Sequence, residues 1–211
     1  MTISPPKNWE ILLIGGNSGT GKSTVASNIA QAYGIPWLQV DDLRLALQFS
    51  AVTLPQPQQT EDLYFFLNTP DVWTKTAEQI CKALIAAGEV MKDALQIVIE
   101  SHIATGVPMI LEGDGILPSL LTRPVLQPFA AKGQLKAVFL QESDEQALFD
   151  NMIMRNRGIE GRPHTDLRNE SRAKQLFGTW ISTEAEQYKL PVLPSQPWQT
   201  LIERVLTASN Q

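Results

Sequence analysis

The sequence contains few of the residues from which disulfide frameworks and metal clusters are built. Its 211 residues include one cysteine, Cys81, and two histidines, His102 and His164. A single cysteine excludes an internal disulfide, and the helical spacing of the apolar residues around Cys81 indicates a packed thiol. Neither histidine has sequence neighbours that indicate a metal site or a catalytic triad. This scarcity argues against thiol, zinc and triad chemistry.

Long apolar runs and an excess of positive charge are also missing. The chain carries 17 Lys and Arg against 22 Asp and Glu, a net charge of −5 at pH 7. Because counterion release rewards basic faces, this balance argues against a general nucleic-acid binder. No apolar run approaches the length of a membrane span, and residues 1–7 lack the apolar core of a signal peptide. We expect a cytoplasmic protein, monomeric or homodimeric, with a small-molecule substrate and no nucleic-acid or membrane partner.

The composition that remains is that of an ordinary globular protein. Hydrophobic residues make up 43% of the chain and charged residues 18%, which argues against extensive disorder. The length suits one well-buried α/β domain, and no linker, repeat or low-complexity tract divides it. The sequence therefore predicts a single domain over residues 1–211.

The most specific motif is a glycine-rich stretch near the start, which fits G-x-x-x-x-G-K-[ST] from Gly16 to Ser23. An apolar, strand-like run precedes it, and apolar residues at helical spacing follow it, which is the context of a phosphate-binding loop. Lys22 is expected to reach the β- and γ-phosphates of a nucleotide, and the Ser23 hydroxyl to hold Mg²⁺. The residues predicted to bind the nucleotide here are Gly16, Asn17, Ser18, Gly19, Thr20, Gly21, Lys22, Ser23 and Thr24.

Strand-like and helical patterns alternate along the rest of the chain. This alternation predicts an α/β fold with a parallel sheet and helices on both faces. Between the second and third strands, residues 51–105 are predicted to form a helical substrate region, with two helices or one bent helix over 71–105. A polar, arginine-bearing loop at about 157–169 is predicted to be a lid. The five predicted strands cover residues 11–14, 35–40, 107–111, 135–140 and 190–193.

Acidic residues follow two of the predicted strands. Ligands of open parallel sheets bind beyond the carboxyl ends of the strands, so these acids are expected near the phosphates. Asp41 or Asp42 is the candidate catalytic base, although one of the pair is as well explained as a helix cap. Glu112 and Asp114 are candidates for holding Mg²⁺ or its waters, with a role as turn residues as the alternative.

Several arginines are candidates for binding phosphate or substrate. Arg155, Arg157 and Arg162 lie before or within the predicted lid, where guanidinium groups would stabilise the γ-phosphate. The competing explanation is a solvated helix end whose dipole the arginines complement. Arg44 and Arg123 are candidates for an anionic substrate, although single arginines are usually just solvated.

Four stretches carry a resemblance to a known group of enzymes: residues 15–23, residues 40–44, residues 110–113 with 116–118, and residues 154–157. They resemble the small P-loop kinases that phosphorylate metabolites, the shikimate kinase, gluconate kinase and chloramphenicol phosphotransferase group, and within it the 2-phosphoglycerate kinase-like proteins. The resemblance implies a three-layer P-loop NTPase fold with five parallel strands in the order 2-3-1-4-5. It also implies that Asp41 or Asp42 meets the substrate hydroxyl, that Arg155 and Arg157 contact ATP phosphates, and that adenine lies near residues 193–195.

The leading functional hypothesis is an ATP- and Mg²⁺-dependent kinase acting on a hydroxyl of a small, anionic metabolite. A P-loop ATPase or nucleotide-binding regulatory module without a small acceptor is the alternative. A drug-modifying or toxin-like phosphotransferase of the same fold is a third hypothesis. A GTPase is disfavoured, because no Asn-Lys-x-Asp guanine motif occurs in the chain.

Overall fold

The computed structural model describes residues 7–50, 60–156 and 158–211, and a five-stranded parallel sheet lies at its centre. The strand order is β2-β3-β1-β4-β5, which confirms the predicted order 2-3-1-4-5. The strands are β1 (Ile11–Gly16), β2 (Trp37–Gln39), β3 (Met109–Glu112), β4 (Leu135–Gln141) and β5 (Val192–Pro194). The longer helices are α1 (Lys22–Tyr33), α2 (Val40–Phe49), α3 (Ala77–Thr105), α4 (Glu145–Arg155), α5 (His164–Gln187) and α6 (Leu201–Ser209). Short helical segments cover Glu61–Tyr64, Phe65–Asn68, Val72–Thr74, Pro118–Thr122, Gln127–Ala131 and Trp198–Thr200.

The central strand β1 explains why helices cover both faces of the sheet. All six of its residues are buried, and it pairs in parallel with β3 on one side and β4 on the other. Ile11 and Leu13 pack in a cluster with apolar residues of α3 and α5, whereas Leu12 and Ile14 pack with α1 and α6. Alternate residues of a strand point to opposite faces, so a wholly apolar β1 requires a helical layer on each side.

The helix that precedes β3 runs without a break. Residues 77–105 form one uninterrupted helix, and its N-terminus has a capping box in which Thr76 and Gln79 bond reciprocally. Gly88 does not break this helix, because its role is one of space: a Cβ there would lie 2.9 Å from the Leu117 side chain. The glycine thus lets α3 approach the segment that follows β3.

Three expectations need correction or fall outside the described chain. The sequence predicts residues 164–169 as part of a loop, but α5 already begins at His164, directly after Pro163, so Arg168 is helical. The second strand ends at Gln39, so Asp41 and Asp42 occupy the first turn of α2 rather than a strand end. Within the predicted substrate region and lid, residues 51–59 and Arg157 lie outside the described residues. Among the described helices, none combines the length and apolarity needed to cross a membrane.

Candidate active site

The loop between β1 and α1 has a backbone that only glycine permits at several positions. Gly16, Gly19 and Gly21 have φ values of 126°, 94° and 80°, in the region that disfavours residues with a side chain. A Cβ on Gly16 would overlap the carbonyl oxygen of Leu140, and one on Gly21 would lie 2.5 Å from the Trp198 ring. These glycines hold the loop in a tight turn at the start of α1, and a helix N-terminus that follows such a turn suits an anion.

Asn17 fixes this loop to the sheet and to α5. Its side chain is fully buried, and its Nδ2 donates to the carbonyl oxygens of Glu142, at 3.0 Å, and Lys174, at 3.2 Å. Its Oδ1 accepts a hydrogen bond from the backbone N–H of Glu142 at 3.2 Å. Gly178 of α5 leaves the space for this amide, since a Cβ there would lie 2.7 Å from Asn17 Cγ. Asn17 thus acts as a structural anchor of the loop.

Lys22 lies in a cavity between the loop, α2, α4, α5 and the end of β3, which we call the phosphate cavity. Two acidic residues from the end of β3 line it as well. The Lys22 ammonium group donates to the Asn17 carbonyl oxygen at 2.9 Å and forms an ion pair with Asp114 at 2.5 Å. Glu112 is 3% exposed, and this burial raises the pKa of its carboxyl, while a hydrogen bond from the Ser23 hydroxyl acts in the opposite direction. The structure therefore brings together Lys22, Ser23, Glu112 and Asp114, which the sequence placed in separate motifs.

The oxygen atoms in this cavity suit a magnesium ion that is shared with a nucleotide. Among the described residues, no group of three or more His, Cys, Asp or Glu side chains is arranged to hold a metal by itself. Mg²⁺ in nucleotide sites takes few protein ligands, because phosphates and waters complete its octahedron. Ser23, Glu112 and Asp114 line this one cavity, so their oxygen atoms fit such an ion.

The two aspartates of α2 have different surroundings. Asp41 lines both the phosphate cavity and a second cavity beside it, whereas Asp42 is exposed and lines only the first. Burial raises the pKa of the Asp41 carboxyl, and so does the charge of Asp114; the nearby charges of Arg44 and Lys22 lower it. The Arg44 guanidinium lies 3.2 Å from the Asp41 carboxylate. Asp41 is thus the better placed of the two for proton transfer.

The predicted arginines occupy different places. Arg155 ends α4 and lines the phosphate cavity. Arg162 points elsewhere: its guanidinium pairs with Glu170 at 2.7 Å, donates to the Gly158 carbonyl at 3.1 Å and lies 4.7 Å from the centre of the Trp73 ring. Arg123 forms an ion pair with Asp93 at 2.5 Å and is not among the residues that line the phosphate cavity or its neighbour.

A third cavity, of about 460 Å³, opens beside the start of α1 and has largely apolar walls. Gly19, Gly21 and Arg155 line both this cavity and the phosphate cavity, so the two are adjacent. Trp198, just after β5, forms part of its wall. The predicted adenine neighbourhood at residues 193–195 is close by in the chain, and Ser195 there is buried and donates to Glu142 at 2.6 Å.

The second cavity, beside Asp41, has a volume of about 300 Å³, against about 340 Å³ for the phosphate cavity. Sequence reasoning missed its walls, because their apolar residues at helical spacing look like ordinary core positions. It also missed Glu170 and Lys174, whose spacing of four residues on a helix was the available signal. Six residues line both cavities: Ser18, Asp41, Arg44, Asp114, Glu170 and Lys174.

The chain is similar to one protein family and to several solved structures. The family model described as isopentenyl transferase matches residues 9–184. A gluconokinase from Sinorhizobium meliloti 1021 is 20% identical over 97% of this chain and 93% of that chain, with a TM-score of 0.54. A shikimate kinase from Bacteroides thetaiotaomicron is 14% identical over 93% and 94% of the two chains, with a TM-score of 0.49. A sugar kinase from Janibacter sp. HTCC2649 is 20% identical over 94% and 93%, with a TM-score of 0.47.

No curated protein sequence matches the chain. The likeness to the gluconokinase confirms the predicted fold, that of the P-loop small-molecule kinases. The narrower resemblance to 2-phosphoglycerate kinase-like proteins stays a prediction.

Proposed function

The chain belongs to the isopentenyl transferase family, which is a P-loop family. For this chain we propose an ATP- and Mg²⁺-dependent phosphotransferase. The acceptor is a hydroxyl group of a small molecule. The observation that supports this proposal is the arrangement of three cavities in series. The phosphate cavity shares Gly19, Gly21 and Arg155 with the apolar cavity on one side, and it shares Asp41 and Asp114 with the cavity on the other.

A nucleoside triphosphate fits the phosphate cavity together with the apolar cavity at Trp198. Its base would lie against Trp198, and its phosphates would follow the loop to Lys22, which exchanges its contact with Asp114 for the γ-phosphate. The γ-phosphate then faces the cavity beside Asp41, at the residues that this cavity shares with the phosphate cavity. Such a placement uses the loop and the helix N-terminus for the donor and leaves the remaining cavity for an acceptor.

Asp41 lines both the phosphate cavity and the cavity beside it, which supports a role for it between the donor and the acceptor. The acceptor oxygen attacks the γ-phosphorus, its bond to phosphorus forms as the bond to the bridging oxygen of ADP breaks, and its proton passes to the Asp41 carboxylate. A raised pKa makes this carboxylate a stronger base than an ordinary aspartate. Lys22 and Arg155 stabilise the charge on the migrating group. Mg²⁺, when bound near Ser23, neutralises charge on the β- and γ-phosphate oxygens.

A product analysis tests this proposal. The protein is incubated with Mg²⁺, ATP and hydroxylated small molecules, and the γ-phosphate is followed by ³¹P NMR. The proposal predicts ADP and a phosphate ester in equal amounts. Release of inorganic phosphate alone, with every acceptor tried, would contradict it and favour the ATPase alternative. Arg155→Ala should slow transfer, whereas Arg172→Ala, a change at an exposed position of α5, should not.

A second candidate function follows from the family match together with the cavity beside Asp41, whose lining includes large apolar side chains. In isopentenyl transfer, the diphosphate of a five-carbon prenyl donor would occupy the phosphate loop and its hydrocarbon the cavity beside Asp41. The bond between carbon and the diphosphate oxygen would break, and a new bond would form from that carbon to a nucleophile. Incubation with a five-carbon prenyl diphosphate and a nucleotide distinguishes the two functions, because only prenyl transfer releases inorganic diphosphate.

A further inference from the structure

The cavity beyond Asp41 is enclosed by apolar faces of two helices. The α3 residues that line it are about one helical turn apart, and α5 contributes Phe177. Aromatic residues of the segment before α3 complete the wall. The large apolar side chains that line it are Phe66, Trp73, Ile80, Leu84, Met91 and Phe177. Apart from Ser18, polar side chains enter the lining only as the charged residues of α2, α5 and the β3 end. Burial of apolar ligand surface is therefore the main interaction that this cavity offers.

The cations that line this cavity already have partners. Arg44 lies 3.2 Å from Asp41, and Lys174 lies 2.6 Å from Glu170. Glu170 is 7% exposed and also pairs with Arg162, whose Nε and Nη2 are buried and which does not itself line the cavity. Among the described lining residues, no Lys or Arg is without a carboxylate at 3.2 Å or less. An anionic ligand would have to displace these carboxylates and would lie close to them.

A heavily hydroxylated ligand would also bind poorly here. Each of its hydroxyl groups would leave water, and the described walls offer few uncharged hydrogen-bond partners away from the mouth. An unpaired buried hydroxyl costs free energy, so a polyol loses affinity with each group it buries. One hydroxyl at the mouth is different, because it would lie beside Asp41 and the phosphate loop.

We propose that the acceptor is a neutral molecule with one reactive hydroxyl at Asp41 and an apolar, ring-sized body between α3 and α5. This inference rests on the proposed kinase function for the reaction, but the selection of an apolar body rests on the cavity alone. It replaces the anionic acceptor that was expected from the sequence.

A matched pair of probes tests the selection. 1-Phenylpropan-2-ol and 3-phenyllactate share a benzyl group and a secondary hydroxyl and differ by a methyl against a carboxylate; gluconate serves as the hydroxylated anion. Binding to the full chain is measured by calorimetry without nucleotide, and transfer with MgATP is measured as formation of the phosphate ester by ³¹P NMR. Ala87→Leu narrows the cavity, and Ala86→Leu makes the same change at the adjacent position of α3, which does not line it.

The phenyl alcohol is expected to bind at least about 10-fold more tightly than phenyllactate, with no detectable binding of gluconate. Ala87→Leu should weaken binding of the alcohol by about 10-fold, and Ala86→Leu should leave its binding unchanged. Thermal melting and ATP binding check that both variants are folded. Equal or tighter binding of phenyllactate or gluconate overturns the inference, and so does failure of the alcohol to bind. If the alcohol binds as described but no phosphate ester forms, the cavity assignment stands and the kinase function fails.

Discussion

Asp41 lines both the phosphate cavity and the cavity beside it, which we propose to be the acceptor cavity, yet the two cavities are built differently. One stretch of the first, within residues 18–23, belongs to the loop and the start of α1, where glycines hold the backbone in a shape suited to an anion, and α2, α4, α5 and the ends of β2 and β3 supply the rest. The second is formed by side chains from segments about a hundred residues apart, such as Trp73 and Phe177. Backbone geometry binds what all nucleotides share, whereas a wall of side chains can be changed one residue at a time. The difference separates recognition of a common phosphate donor from selection of a particular acceptor.

The largest effect is expected on the donor side, at Lys22. Lys22→Met removes the ammonium group that would stabilise the γ-phosphate and should lower kcat about 10³-fold. It also leaves Asp114 without its cation in the cavity. Rapid-quench measurement of ADP formation checks this, with Lys82→Met, an exposed position of α3, as the control. An equal loss of kcat in the Lys22→Met and Lys82→Met variants would show that Lys22 has no specific role in phosphate transfer. The division into a donor cavity and an acceptor cavity would then fail.

Asp41, at the junction, should give the next largest effect. Asp41→Asn keeps the shape but cannot accept a proton, so kcat should fall about 10²-fold while ATP affinity changes little. Asp42→Asn is the matched control, because Asp42 follows directly in α2 but is exposed. Steady-state kinetics with titration of ATP binding separates the two effects. A larger loss of kcat in the Asp42→Asn variant would make Asp42 the base. Because Asp42 lines only the phosphate cavity, the base would then not be shared between the two cavities.

What the sequence could predict follows the same division. The loop motif, the buried β1 and the strand order were accessible because each depends on local spacing or on a family resemblance. Asp41 and Glu112 were placed near the phosphates because parallel strands end at one edge of the sheet. The pairing of Arg162 with Glu170 and Trp73 was not accessible, since it joins three segments whose contact depends on how α5 packs.

The apolar acceptor cavity was missed for a related physical reason. Helical apolar spacing in α3 predicts that a face is buried, but it does not say whether a neighbouring helix fills the space or leaves a cavity. Ile80 and Met91 satisfy the pattern equally well in a core or in a ligand wall. The start of α5 at His164 was also hidden, because the glycines and proline before it favoured a longer loop.

A smaller effect is expected at the contact between Gly178 of α5 and Asn17 of the phosphate-binding loop. Alanine is the better helix former by about 1 kcal/mol, but a Cβ at position 178 would lie 2.7 Å from Asn17 Cγ. Gly178→Ala should therefore destabilise the fold by about 1–3 kcal/mol and raise the KM for ATP, since Asn17 anchors the loop. Urea denaturation and ATP kinetics check this. Thr179→Ala, at the next and exposed position of α5, is the control. A stabilised Gly178→Ala variant with an unchanged KM would show that the loop does not depend on α5.

The smallest effect concerns stability on the donor side, at Glu112. Because burial raises the pKa of this carboxyl, the folded state holds its proton to a higher pH than the unfolded state does. The stability that this group contributes is complete below its unfolded pKa and is lost as the pH rises through the folded pKa. Glu112→Gln stays neutral, so its melting temperature relative to wild type should increase from pH 4 to pH 8. A gain of about 1 kcal/mol would raise Tm by about 2–4 °C in a domain of this size.

The exposed Glu61→Gln provides the control for this pH series, because replacing a solvated carboxylate should leave the difference in Tm nearly flat. If Glu112→Gln is more stable than wild type but transfers less phosphate, the phosphate cavity keeps a destabilising carboxylate because the reaction needs it. Active sites commonly keep strained or buried groups at a cost in stability. A difference that falls as the pH rises would instead mean that Ser23 and Lys22 stabilise the ionised form more than burial opposes it.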